Sequence, residues 1–341
     1  MDTRVGFLGG GSWGTALALV LGRKGIGLDL WLRNKEQCEE INRTRENEKY
    51  LPGVKLPENI NVSLDIEKTI AGKDVILLAI PTHSIRGTLE KYKDLFSEDQ
   101  IIVNVAKGIE NNTLERVSEI VGDILPKNRF VVLSGPSHAE EVAINDPTTV
   151  IASSQSEEAA RLIQDLFMTD SFRVYTNSDI IGVELGGSLK NVIALGAGIS
   201  DGLEYGDNAK AALMNRGIFE MARLGEAMGG KYSTFLGLSG IGDLIVTCTS
   251  LHSRNRKAGM LIGQGYSVDE AIEKTGMVVE GIKTTKSAYE LSRQYGVKMP
   301  ITEEIYKLLY IGGDVEEAVT RLMRRDKKDE MESLLEKDLY K

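Results

Sequence analysis

The chain has 341 residues, 42% of them hydrophobic, which is long enough for two packed domains of ordinary size. A formal net charge of −9 excludes a general attraction to nucleic acid or to an anionic membrane surface, so any anionic ligand must be held by a local basic cluster. The two cysteines, Cys38 and Cys248, lie far apart with no Cys-x-x-Cys pair; this points to reduced thiols in a cytoplasmic protein, and no metal site is suggested.

In chain order, short apolar runs at 5–8, 28–32, 75–80, 101–105, 130–133 and 150–152 alternate with helical patterns. This alternation predicts an α/β fold, with a mainly parallel, Rossmann-like sheet and crossover helices. The apolar stretch 16–21 follows a glycine run rather than a basic segment, and no small-residue cleavage pattern is nearby, so it does not read as a targeting signal. No uninterrupted apolar run reaches the roughly 20 residues of a membrane helix. From about Asp179 the strand signals stop, and helical spacing takes over at 180–201 and 208–228. The reading is therefore a dinucleotide-binding domain over 1–180 and a mainly α-helical domain over 181–341. The mixed-charge tail with Arg324, Arg325, Lys327, Lys328 and Asp329 reads as a solvated helix face.

The first chemistry-bearing segment, Gly9-Gly10-Gly11-Ser12-Trp13-Gly14, stands between an apolar strand and a helical run. In that setting Gly9 permits the tight turn, Gly11 admits a pyrophosphate to the backbone, and Gly14 allows close helix–strand packing. About 20 residues on, where an NAD-selective site offers an acid to the ribose, the second strand is expected to end in Arg33. A cation there accepts a 2′-phosphate, so the reading leans to NADP over NAD; a plain surface arginine is the alternative. In an open parallel sheet ligands collect at the carboxyl ends of the strands, where Pro81-Thr82, Lys107-Gly108 and Gly135-Pro136-Ser137-His138 stand.

Later, Gly186-Gly187-Ser188-Leu189-Lys190-Asn191 puts two glycines inside a helix, at a cost of about 1 kcal/mol each, which implies close approach of a ligand or another backbone. Lys190 on this apolar helix needs a purpose or a partner, unless it snorkels to the surface. Gly240-Ile241-Gly242-Asp243-Leu244 and His252-Ser253-Arg254-Asn255 follow, the latter where a helix N-cap is expected. A hydroxyl, a guanidinium fork, an amide and free N–H groups suit a phosphate, although an ordinary N-cap with a surface arginine has the same pattern.

Taken together, six motifs in order and Val279-Glu280-Gly281 resemble the NAD(P)-dependent glycerol-3-phosphate dehydrogenases of bacterial type across nearly the whole chain. The other five are Ala106-Lys107-Gly108-Ile109-Glu110, Ser134-Gly135-Pro136-Ser137-His138-Ala139, Leu189-Lys190-Asn191, Gly242-Asp243-Leu244 and Ser253-Arg254-Asn255, beside the glycine turn. The resemblance implies that Lys190 carries the catalytic proton, and that Lys107, Gly135, Ser137, Asp243, Ser253, Arg254 and Asn255 surround dihydroxyacetone phosphate. It puts Gly9, Gly11, Ser12, Trp13, Gly14, Arg33, Lys107, Ala139, Arg254, Val278 and Glu280 on the cofactor side. It further implies a homodimer that supplies glycerol 3-phosphate for phospholipid synthesis. His138 is the competing acid. A hydroxyacid or dehydropantoate-type dehydrogenase and a non-catalytic dinucleotide sensor are the competing functions.

Overall fold

A computed structural model describes residues 3–327 and residue 330. Eight strands form one sheet: β1 (Val5–Leu8), β2 (Leu28–Trp31), β5 (Ile60–Ser63), β6 (Val75–Leu78), β7 (Ile101–Asn104), β8 (Arg129–Ser134), β9 (Thr148–Ser153) and β10 (Phe172–Asn177). A small antiparallel hairpin, β3 (Glu46–Asn47) and β4 (Leu51–Lys55), lies apart from it. The sheet order is β10-β9-β8-β7-β6-β1-β2-β5, parallel throughout except between β8 and β9. β1, β6 and β7 are buried along their whole length, as expected of strands covered on both faces. The chain leaves β1 towards β2 and returns to β6 on its other side, so a crevice opens at the carboxyl ends of β1 and β6.

Every apolar run read as a strand is one. Three elements escape that reading: the hairpin, β5 and β10. β5 and β10 are the two edges of the sheet, and each alternates buried and exposed residues instead of forming a continuous apolar run. One boundary differs, because β2 ends at Trp31 and the exposed Arg33 lies two residues beyond it. The 16–21 stretch is buried inside the helix Ser12–Arg23. In the tail, the last helix among the described residues stops at Met323, so Arg324, Arg325 and Lys327 lie exposed beyond it rather than on that helix's face; Lys328 and Asp329 fall outside the described residues.

The helical half is built around Ile180–Gly202, in which 19 of 23 residues are buried. That helix is long and apolar enough to cross a membrane, yet 83% of its qualifying window is buried inside the protein, which makes it a core helix. Asp179 starts it by accepting from Gly182 N at 2.9 Å. Its second oxygen accepts from Lys231 N at 2.8 Å and Thr234 Oγ1 at 2.6 Å. The glycines in this helix mark backbone contacts. A Cβ on Gly186 would lie 2.5 Å from Ser239 O, and one on Gly198 would lie 2.0 Å from Arg256 O. The helix Arg254–Gly263 answers with Gly259, whose Cβ would meet Leu195 O at 2.1 Å. Such close contact fixes the turn before Arg254 against the helix that carries Lys190.

A buried ion pair joins the two halves. Glu184 accepts from Arg116 Nη1 at 2.9 Å, Ser118 N at 2.8 Å and Ser118 Oγ at 2.5 Å. Removing one partner leaves the other charge buried, so Arg116→Ala is expected to cost about 3 kcal/mol. Urea unfolding measures this; a loss below about 1 kcal/mol would show that the pair is dispensable.

Candidate active site

The glycine turn has the geometry a dinucleotide needs. Gly9 has φ +115°, and a Cβ there would lie 2.6 Å from Ala79 O. A Cβ on Gly14 would lie 2.2 Å from Gly9 O, whereas nothing stands within 4 Å of that position on Gly11. Gly11 caps the helix Ser12–Arg23 without a side-chain hydrogen bond, and no acid occupies its first turn, so the helix N-terminus is open to an anion. The turn is braced from the hairpin: Asn47 Nδ2 donates to Gly10 O at 2.9 Å and Thr15 Oγ1 at 2.8 Å, and Ser12 Oγ donates to Tyr50 O at 2.8 Å. Trp13 in the turn keeps a buried Nε1 with no partner, Thr82 after β6 keeps a buried hydroxyl with none, and so does Ser134 at the end of β8, beside Gly187. An open cradle rimmed by unpaired donors fits a dinucleotide.

At the same edge Lys190 is 6% exposed and Asp243 is 1% exposed. Lys190 Nζ donates to Asp243 Oδ1 at 2.5 Å and to Thr247 Oγ1 at 2.6 Å. Thr247 spends its own proton on Asp243 O, at 2.6 Å, so its oxygen is an acceptor for Lys190. Asp243 begins the helix Asp243–Thr249, where a carboxylate is favoured, and its Oδ2 accepts from Lys107 Nζ at 2.7 Å. Lys107 also donates to Gly135 O at 2.9 Å, where φ +138° brings the backbone within 3.0 Å of Val150 Cα, measured from a would-be Cβ. One carboxylate thus holds two ammonium groups, one on each oxygen.

Burial lowers the Lys190 ammonium from its usual range to about 8; Asp243 opposes this shift and Lys107 adds to it. His138 stands nearby, with its Nε2 3.5 Å from Val246 O and its ring 5.8 Å from that of His252. Burial and the charge of Lys190 both push His138 below its ordinary value, towards the neutral form. A ladder of amides locks the surrounding loops: Gly281 N donates to Asn255 Oδ1 at 2.8 Å, Asn255 Nδ2 to Asn191 Oδ1 at 2.9 Å, and Asn191 Nδ2 to Lys107 O at 3.4 Å. A concavity of about 640 Å³ exists at the other edge of the sheet, lined by Lys24, Asp29, Asn61 and Lys73, and it holds none of these groups.

Residues 4–160 match the family described as NAD-dependent glycerol-3-phosphate dehydrogenase N-terminus, and residues 179–320 match its C-terminus. The chain belongs to this dehydrogenase family. A glycerol-3-phosphate dehydrogenase of NAD(P)+ type from Clostridium perfringens is 54% identical over 328 residues, covering 96% of this chain and 99% of that protein. The crystal structure of glycerol-3-phosphate dehydrogenase from Coxiella burnetii superposes with a TM-score of 0.92 at 37% identity, covering 95% of this chain and 100% of that one. A ketopantoate reductase from Ralstonia eutropha reaches a TM-score of 0.61 at 14% identity, covering 93% of this chain and 100% of that one; this likeness shows the fold alone.

In this glycerol-3-phosphate dehydrogenase the expected site residues divide into three groups. Lys107, Gly135, Lys190 and Asp243 form one hydrogen-bonded cluster, with Ser137 Oγ donating to Gly135 O at 2.9 Å. Ser253 alone is the N-cap, accepting from Arg256 N at 3.2 Å, while Arg254 and Asn255 open the helix. Arg254 is exposed and pairs with no carboxylate among the described residues, its Nη1 lying 4.0 Å from Met277 Sδ. Ala139 is buried at the start of its helix, Val278 is 43% exposed, and Glu280 begins the helix Glu280–Gln294. Burial raises the Glu280 carboxyl, against the charges of Lys283 and Arg254. Sequence reasoning gave no site role to Thr247 or Asn191. Thr247 sits four residues after Asp243 on one helix face, and that spacing was the available signal.

Proposed function

We propose that this dehydrogenase interconverts dihydroxyacetone phosphate and sn-glycerol 3-phosphate, with Lys190 carrying the proton. The observation that carries the reading is the double anchoring of Lys190 by Asp243 and Thr247 in a buried site. An ammonium has three donors; with two fixed, the third serves the substrate oxygen. A neutral amine keeps the same two donors and has a lone pair in the third position, so one geometry serves as acid for reduction and base for oxidation. A value near 8 makes both forms accessible around neutral pH. The bound nicotinamide supplies or accepts the hydride.

Lys107 and Arg254 supply positive charge for the substrate phosphate, whose binding energy orients the reacting carbon. Arg33 takes the 2′-phosphate of NADP, which makes NADP the favoured cofactor. Ser12, Trp13, Ala139, Val278 and Glu280 line the cofactor side, Ser137, Ser253 and Asn255 the substrate side. Residues 1–180 form the dinucleotide-binding domain and 181–341 the helical substrate domain. A cytoplasmic homodimer feeding phospholipid synthesis completes the reading, and sedimentation of the purified protein checks the dimer. Arg254→Ala is expected to raise KM for dihydroxyacetone phosphate at least about tenfold, the size of one charge-assisted bond to an anion. If uncharged dihydroxyacetone loses as much, Arg254 is not the phosphate anchor.

A further inference from the structure

Three basic side chains meet at the carboxyl edge of the sheet from three separate elements. Arg33 follows β2, His83 lies in the first turn of the helix Thr82–Tyr92 that follows β6, and Lys283 lies one turn into the helix Glu280–Gln294 of the helical half. All three are exposed. Lys283 Nζ lies 3.2 Å from His83 Nδ1; burial first, and then the charges of Lys283 and Arg33, hold the His83 pKa down. Two cations, Arg33 and Lys283, thus bear on one imidazole and disfavour its protonation. Among the described residues no carboxylate forms an ion pair with Arg33 or Lys283; the nearest acid identified, Glu280, is one helical turn before Lys283 and is itself held towards its neutral form by burial. Beside His83, Thr82 is 3% exposed and its hydroxyl has no partner; a Cβ on Gly108 would lie 2.6 Å from that hydroxyl and 3.4 Å from Glu280 Oε2. The cluster is thus continuous with the cofactor crevice.

We infer that Lys283 and His83 complete, with Arg33, a three-sided cationic site for the adenosine 2′-phosphate of NADP. The inference rests on the reading of Arg33 given above and extends it across the two halves of the chain. In a doubly wound sheet the adenosine ribose lies beyond the end of the second strand, beside Arg33. Lys283 reaches this place from the helical half. A doubly charged phosphate there offsets the charges of Arg33 and Lys283, accepts a hydrogen bond from each, and favours the protonated form of His83 as a third donor. Cofactor preference is accordingly set by both halves, and Lys283 determines specificity without touching the reacting atoms.

Titration of the full-length protein with NADPH and with NADH, by quenching of protein fluorescence, tests this without turnover. Lys283→Ala is expected to weaken NADPH about tenfold, the size of one charge-assisted hydrogen bond, and NADH less than twofold. His83→Ala is expected to act in the same direction, and Lys283→Arg to restore the preference. Equal losses for both cofactors would make the Lys283–His83 contact a structural latch, and no loss would remove both residues from the site; either result overturns the inference. Selectivity lost in Arg33→Ala but not in Lys283→Ala leaves the Arg33 reading standing alone. Selectivity lost in neither removes both.

Discussion

Lys190→Ala is expected to lower kcat/KM for reduction of dihydroxyacetone phosphate on the order of 10³-fold while NADPH binding changes less than about threefold. The side chain is buried and held at both Asp243 and Thr247, so no water-exposed group can take its place. Lys190→Arg separates its two possible contributions. An arginine restores the positive charge but does not release its proton in this pH range, so a purely electrostatic role would be rescued and a proton-transfer role would not. The account expects no rescue. Activity within about tenfold of wild type in the arginine variant would show that charge alone suffices.

Asp243→Asn is the second large effect, expected to lower kcat/KM on the order of 10²-fold. The carboxylate neutralises Lys107 and Lys190 together, and without it two ammonium groups share a buried site. Asp243 is also the group that raises the pKa of Lys190 against burial, so its removal moves that pKa below about 8. The sign follows directly. Oxidation of glycerol 3-phosphate needs the neutral amine and rises with pH through the pKa; in Asp243→Asn that rise moves to lower pH. Reduction needs the ammonium, and its decline moves the same way. An unchanged pH profile would show that Asp243 does not set the protonation of Lys190.

The sheet and the glycine turn were legible because each rests on a local rule: continuous apolar runs for strands buried on both faces, and a fixed glycine spacing between strand and helix. β5 and β10 follow another rule, that of edge strands with one wet face, and their short alternations resemble loop sequence. Gly186 was legible as a close approach, though its partner, the backbone at Ser239, was not. Lys190 stood out as a charge on an apolar helix. Its partners did not, because Asp243 and Thr247 lie 53 and 57 residues away and reach it only through tertiary packing. The same holds for Lys283, which looks like any solvated helix residue until His83, 200 residues distant, is found beside it.

The central claim is that one lysine carries the proton in both directions, and the pH dependence of kcat/KM for glycerol 3-phosphate oxidation, measured alongside the reverse reaction, tests it most directly. The account predicts a rise centred near pH 8 in oxidation, mirrored by a decline in reduction, with both limbs absent from the residual activity of Lys190→Ala. A limb below the ordinary histidine range that survives in Lys190→Ala and disappears in His138→Asn would contradict it and make the histidine the proton carrier.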